Sequence, residues 1–169
     1  TDCVSVLGPI DQTIDFKRMI HRIHSSGWSK VPYEVCGFRN SVHIYDVTYP
    51  GHLNNCEGCH LPPDTRNNVY PYHPVEAGTI QGTTVDVGAD LASPTDDVVI
   101  SPNSAVCSSC HMDDLARNHM IQNGGDFNAG KNADSVMISS GAETCQLCHG
   151  PGASADTGVM HGVGEFQFN

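Results

Sequence analysis

Apolar residues keep a helical period in one stretch of this chain. Phe16, Met19, Ile20 and Ile23 fall at i, i+3, i+4 and i+7, the spacing of one stripe on an α-helix. They predict a helix over Thr13–Ser26, with Thr13 as its cap and Gly27 as a left-handed terminator. His21 and His24 lie on a flank of the stripe, one turn apart and therefore neighbours on the helix surface. Elsewhere the pattern is weaker. Val42–Tyr49 alternates loosely and reads as a short strand. Ser101-Pro102 reads as a cap and first-turn proline leading a helix into Cys107. Asp113 and Asp114 favour a second helical start, running to Gly124-Gly125. Ser140 with Glu143 reads as a capping box that sets Cys145–His149 on a short helix. Residues 61–103 lack a clear period and carry Pro62-Pro63, Tyr70-Pro71 and His73-Pro74, as a long tract packed on something else would.

Composition makes the interior thin. The chain has 169 residues, enough for one domain spanning 1–169, but only one Trp and five Phe to fill it. Its 17 Gly and 10 Pro suit a loop-rich fold. The formal charge of −11 argues against nucleic acid and anionic membrane surfaces as partners. It permits cationic or metal-oxide partners, and acidity is also an ordinary means of staying soluble. No apolar run is long enough to span a membrane. The first residues read as a mature or trimmed start, not as an export signal.

The cysteines supply the missing core. Cys56-Glu57-Gly58-Cys59-His60, Cys107-Ser108-Ser109-Cys110-His111 and Cys145-Gln146-Leu147-Cys148-His149 repeat one pattern, Cys-x-x-Cys-His. Two thiols at this spacing can each add to one vinyl group of a haem, and the following His can bind the iron from one side. Paired cysteines also build zinc sites and thioredoxin-like redox centres. Three pairs are an awkward number for four-coordinate zinc, no βαβ alternation surrounds them, and neither alternative accounts for a His after every pair. The pattern predicts three haem c groups, with Cys56, Cys59, Cys107, Cys110, Cys145 and Cys148 as attachment points and His60, His111 and His149 as iron ligands. His21, His24 and His119 are the expected opposite ligands, with His161 in reserve. His21 and His24 cannot flank one iron, so as ligands they would serve two neighbouring haems. His73 ranks lower, and His43 and His52 read as loop histidines.

The expected fold is therefore mostly irregular, a few short α-helices and little β wrapped around a haem core. Arg18, Arg22 and Arg117 suit pairing with haem propionates. Bis-histidine irons lack the Met ligand that raises the potential of cytochromes c, so low potentials are expected. Haem attachment of this kind implies export. Cys3 and Cys36, the cysteines outside the motifs, are then expected to form a disulfide.

The segment Thr13-Ile-Asp-Phe-Lys-Arg-Met-Ile-His-Arg-Ile-His24 resembles a helix of the OmcA/MtrC family of outer-membrane multihaem cytochromes. The likeness continues through Tyr49-Pro50-Gly51-His52-Leu53-Asn54-Asn55-Cys56, Ile100-Ser101-Pro102, His119-Met120 with Asn123-Gly124-Gly125, and Cys148-His149-Gly150-Pro151-Gly152. In that family both histidines of the helix motif are distal haem ligands. Family members are typically larger, with ten haems in two pentahaem domains set between β-rich domains, so the layout here must differ. The resemblance implies a haem fold and electron transfer at the cell exterior or outer surface, with the periplasm as the other location. The expected partners are other multihaem cytochromes, copies of this chain in a homopolymer, or a metal-oxide or soluble acceptor. Two other classes remain: a haem reductase with an open iron, and a structural subunit of a haem-linked filament.

Overall fold

The computed structural model describes residues 13–29, 31–37, 39, 41–60, 71–85, 93, 95–131, 137–138 and 142–163. Cys3 and Ser140 lie outside them, so the expected disulfide and capping box do too. Five α-helices and six short strands are present among the described residues: α1 Phe16–Ser25, β1 Tyr33–Cys36, β2 Val42–Tyr45, β3 Thr83–Val85, β4 Val98–Ile100, α2 Pro102–Cys107, α3 Asp114–Gln122, β5 Ala129–Lys131, β6 Met137–Ile138, α4 Gln146–His149 and α5 Thr157–His161.

The strands form two antiparallel sheets. A hairpin pairs β1 with β2, Tyr33 opposite Tyr45 and Cys36 opposite Val42. A second sheet has the order β3-β4-β5-β6, with Thr83 opposite Ile100 and Val98 opposite both Val85 and Gly130. The weak alternation at 42–49 marks β2, but the four-stranded sheet was not read from the sequence. Its members are two or three residues long, too short for a period of two to stand out.

The core is small. Val85 and Ile100 from the sheet, Ala105 from α2, Met120 from α3 and Phe127 form the buried cluster, and Val98, Cys107 and Ala116 pack against it. The second Cys-x-x-Cys-His motif is thus the one seated on this core.

Helix α1 sits the opposite way round from what its stripe suggests. Its buried residues are Arg18, Arg22 and Ser25, whereas Phe16 is 69% exposed. Met19, Ile20 and Ile23 are half-buried. The arginines reach into the protein as struts. Arg18 Nη1 donates to Ala105 O at 2.9 Å and Ser108 Oγ at 2.7 Å. Arg22 donates to Val31 O, Pro32 O, Ser29 Oγ and Met112 Sδ. Ser25 Oγ donates to Ser109 O at 3.1 Å. Helix α1 is therefore pinned along its polar side to α2 and the second motif.

The caps also differ in part from expectation. Asp15, not Thr13, caps α1, accepting from Lys17 N, while Thr13 Oγ1 accepts from Asp15 N. Ser26 ends the helix in a right-handed conformation. Gly27 is needed for space: a Cβ there would lie 2.7 Å from Val47 O. Asp113 caps α3 by accepting from Ala116 N at 2.9 Å. Glu143 does not cap the helix that follows it. Its carboxylate caps α2 instead, accepting from Asn103 N, Ser104 N, Ser101 Oγ and Ser104 Oγ at 2.7–2.8 Å. The lead-in to the third motif is thereby bound to the start of the helix that carries the second.

Candidate functional site

Each motif histidine faces one histidine from outside the motifs. His60 and His21 have ring centroids 5.9 Å apart, His111 and His161 6.0 Å, and His149 and His119 6.0 Å. We number these sites I, II and III in that order. The separation is near what an iron between two imidazoles requires. A first-row metal–imidazole bond is about 2 Å, and two such bonds with two ring radii span roughly 6 Å.

Hydrogen bonds turn several of these rings. His21 Nδ1 faces Lys17 O, His149 Nδ1 lies 2.9 Å from Ala155 O, and His161 Nδ1 lies 2.8 Å from Thr157 O. A carbonyl accepts only, so each Nδ1 is the donor and the lone pair resides on Nε2. A backbone carbonyl held on the far ring nitrogen in this way fixes tautomer and orientation in metal-bound histidines. Burial lowers the His21 pKa, and the Lys17 carbonyl opposes part of that shift. The net effect favours the neutral imidazole, the form that binds metal.

The sites are close neighbours. The Cys56 thiol is within electrostatic reach of Cys110, and Cys107 of Cys145. Site II therefore neighbours both I and III. Burial pushes the Cys107 thiol up to about 12, and Cys145 to about 11.

Sites II and III exchange parts. The segment from Cys107 carries His111 of site II and, on α3, His119 of site III. The segment from Cys145 carries His149 of site III and, on α5, His161 of site II. Short bonds close the exchange. Thr157 Oγ1 donates to His149 O at 3.0 Å, and Asn54 Nδ2, just before the first motif, donates to His161 O at 2.7 Å.

The other histidines have different neighbours. His24, expected opposite an iron, has its ring 5.1 Å from that of Tyr49, and among the described residues no motif histidine ring stacks on it. One helical turn carries it away from the line on which His21 meets His60. His161, held in reserve, takes the place opposite His111. Sequence does offer a signal for it: Asp156 and Gly162 bracket Thr157–His161 as a capped five-residue helix. His73 is 7% exposed, with Nε2 2.9 Å from Asp156 Oδ1. His43 is exposed beside Ser41 Oγ, and His52 is exposed. Arg18, Arg22 and Arg117 line one cavity of about 490 Å³, together with His111 and Met112.

The surroundings fit a flat apolar group. Leu147 is 78% exposed, Val159 76%, Met160 68% and Leu115 82%, and all four lie on the segments that carry sites II and III. Helix α1 likewise turns the exposed Phe16 outward. Among the described residues no three His, Cys, Asp or Glu side chains gather around a common metal position, unlike a zinc site. A porphyrin supplies four equatorial nitrogens itself and needs only the two histidines. Among the described residues no helix is long and apolar enough to cross a membrane.

A family model described as outer membrane cytochrome MtrC/MtrF-like, domains II/IV, matches residues 5–162. No curated protein matches the chain. The match carries haem c binding, electron transfer and export at the level of the family. With its three Cys-x-x-Cys-His segments each facing a second histidine, the chain belongs to the family of MtrC/MtrF-like outer-membrane cytochromes.

Proposed function

We propose that this chain is a three-haem electron conduit in which each iron is held between two imidazoles: His60 and His21, His111 and His161, His149 and His119. The observation that carries the reading is the near-identical separation of three histidine pairs, each joining one motif residue to one outside the motifs. The haems supply one-electron ferric–ferrous chemistry. The polypeptide tunes it through axial ligation, burial and nearby charge.

The residues divide that work plainly. Cys56 and Cys59, Cys107 and Cys110, and Cys145 and Cys148 hold the three groups by thioether bonds. Lys17, Ala155 and Thr157 present carbonyls that hold His21, His149 and His161 in the ligating tautomer. Two neutral nitrogen ligands, without a Met, keep the potentials low. Phe16, Leu115, Leu147, Val159 and Met160 provide the apolar cover that excludes water from macrocycles. Electrons move along the series I–II–III and leave at either end. They pass to another multihaem cytochrome, to a copy of this chain in a homopolymer, or to a metal-oxide or soluble acceptor. The working location is the cell exterior.

Intact-mass measurement after acid–acetone extraction tests the count, with three retained haems expected and fewer contradicting it. Replacing His21, His119 or His161 singly by Ala should turn one haem high-spin in each case. A variant that stays fully low-spin, with no substitute ligand, removes that histidine from the set.

A further inference from the structure

Helix α5 has the least structure behind it of the three elements that bring a second histidine to a motif. His21 rides on the ten-residue α1, anchored by buried Arg18, Arg22 and Ser25. His119 rides on the nine-residue α3, anchored by buried Met120. Helix α5 has five residues and buries none of them. A helix so short does not persist in water by itself. Gly162 ends it in a left-handed conformation at φ 64°, and Gly152, five residues before its start, has φ 73°.

One carboxylate caps its first turn, beside the bonds from Thr157 Oγ1 to His149 O and from Asn54 Nδ2 to His161 O. Asp156 accepts from Gly158 N at 2.7 Å and Val159 N at 3.4 Å through Oδ1, and from Gly152 N at 2.6 Å through Oδ2. His73 then holds Asp156, donating from Nε2 to Oδ1 at 2.9 Å. His73 is buried, and the chain beside it is tied to α2. Val75 N donates to Asn103 Oδ1 at 2.9 Å, and Asn103 Nδ2 donates to Val75 O at 3.0 Å. Helix α2 leads directly into Cys107 and His111. The path from His111 through α2, Asn103, Val75, His73 and Asp156 to His161 is therefore a closed frame around site II, and His73 is the strut between its two sides.

We propose that His73 and Asp156 are positioning residues forming a latch on site II, and that releasing it lets His161 leave and opens that iron to one small external ligand such as carbon monoxide. The inference rests on the reading of His161 as an iron ligand. It makes site II the one of the three where an outside molecule reaches the metal. Sites I and III stay closed because their second histidines lie on longer, anchored helices.

Carbon monoxide titration of the reduced, haem-loaded protein tests the latch, with haem content checked for each variant. The unmodified protein should bind none. His161→Ala should bind one equivalent per chain. His73→Ala should also bind one, with a matching high-spin signal from one haem of three when oxidised. His73→Gln keeps a donor facing Asp156 and should return the protein toward no binding. If His161→Ala binds none, the ligand assignment falls. If His161→Ala binds one and His73→Ala none, the assignment stands and the latch is rejected. If His73→Gln binds as His73→Ala does, the bond to Asp156 is not what holds the helix, and the latch is again rejected.

Discussion

His21 and His60 face each other nearly in parallel, with 21° between their ring planes. The rings of His111 and His161 are turned by 69°, and those of His119 and His149 by 90°. In a ferric haem the relative orientation of two axial imidazoles sets the splitting of the iron d orbitals, and with it the electron paramagnetic resonance. Parallel planes give the ordinary rhombic low-spin spectrum. Crossed planes give a highly anisotropic one with a single prominent low-field feature. The oxidised protein should show one signal of the first kind and two of the second. Three equivalent rhombic signals would contradict the ring angles at sites II and III.

Glu143 offers a stability test remote from any iron. Its carboxylate receives four hydrogen bonds at the start of α2, and Ser101 and Ser104, two of the donors, are buried. Glu143→Ala should cost about 2–4 kcal/mol, more than an ordinary cap, because buried hydroxyl and amide donors lose their acceptor. Glu143→Gln keeps an acceptor but not the charge and should cost roughly half as much. Guanidinium unfolding of the haem-loaded protein checks both.

Gly124 is tied to the same corner. It sits at φ 86°, and an added Cβ would lie 2.3 Å from Ala142 O, the carbonyl just before Glu143. Gly124→Ala should therefore destabilise by about 2–4 kcal/mol through backbone strain and displacement of that segment. Combined with Glu143→Ala, the two losses should fall short of additive, since both disturb one contact. Full additivity in the same unfolding experiment would show the two residues to be independent.

Acid should loosen site II. Backbone amides, with His73, hold the Asp156 carboxyl down at about 2, against an ordinary value of 3.8. A depressed folded-state pKa means that the cap contributes fully above the ordinary value and is lost as pH falls through the folded one. The cap should give no change between pH 7 and 5. High-spin character at one haem should then grow as pH drops from about 4 toward 2. Asp156→Asn should flatten that dependence from a weaker starting point. A spectrophotometric titration that changes equally in both proteins would assign the acid step to other groups.

Helices α1 and α3 were legible because period and acidic caps speak locally, and the three motifs because covalent chemistry demands a fixed spacing. What the stripe of α1 faces was not legible. Periodicity shows that one side is apolar, not whether protein or a macrocycle covers it, and Arg18 and Arg22 took the inner side. Glu143 looked like a local capping residue; its real partners lie about 40 residues back along the chain, and no sequence window spans that. That His161 rather than His24 faces a motif histidine needed three dimensions. Helix α1 keeps His21 and His24 one turn apart, and only the path of the chain shows which motif comes within reach.

The exchange of parts between sites II and III also sets an order in time. A chain crossing a membrane from its amino end delivers Cys107 to His119 before Cys145 to His161. When the third motif emerges, His119 is already waiting for it. Site II has no such provision: His111 comes out early, and its partner is separated from it by the whole of the third motif. On the proposed ligation, the iron of site II is therefore the last to gain its second ligand during maturation. Until then, on the same reading, site II is the one whose iron is open to oxygen and stray ligands.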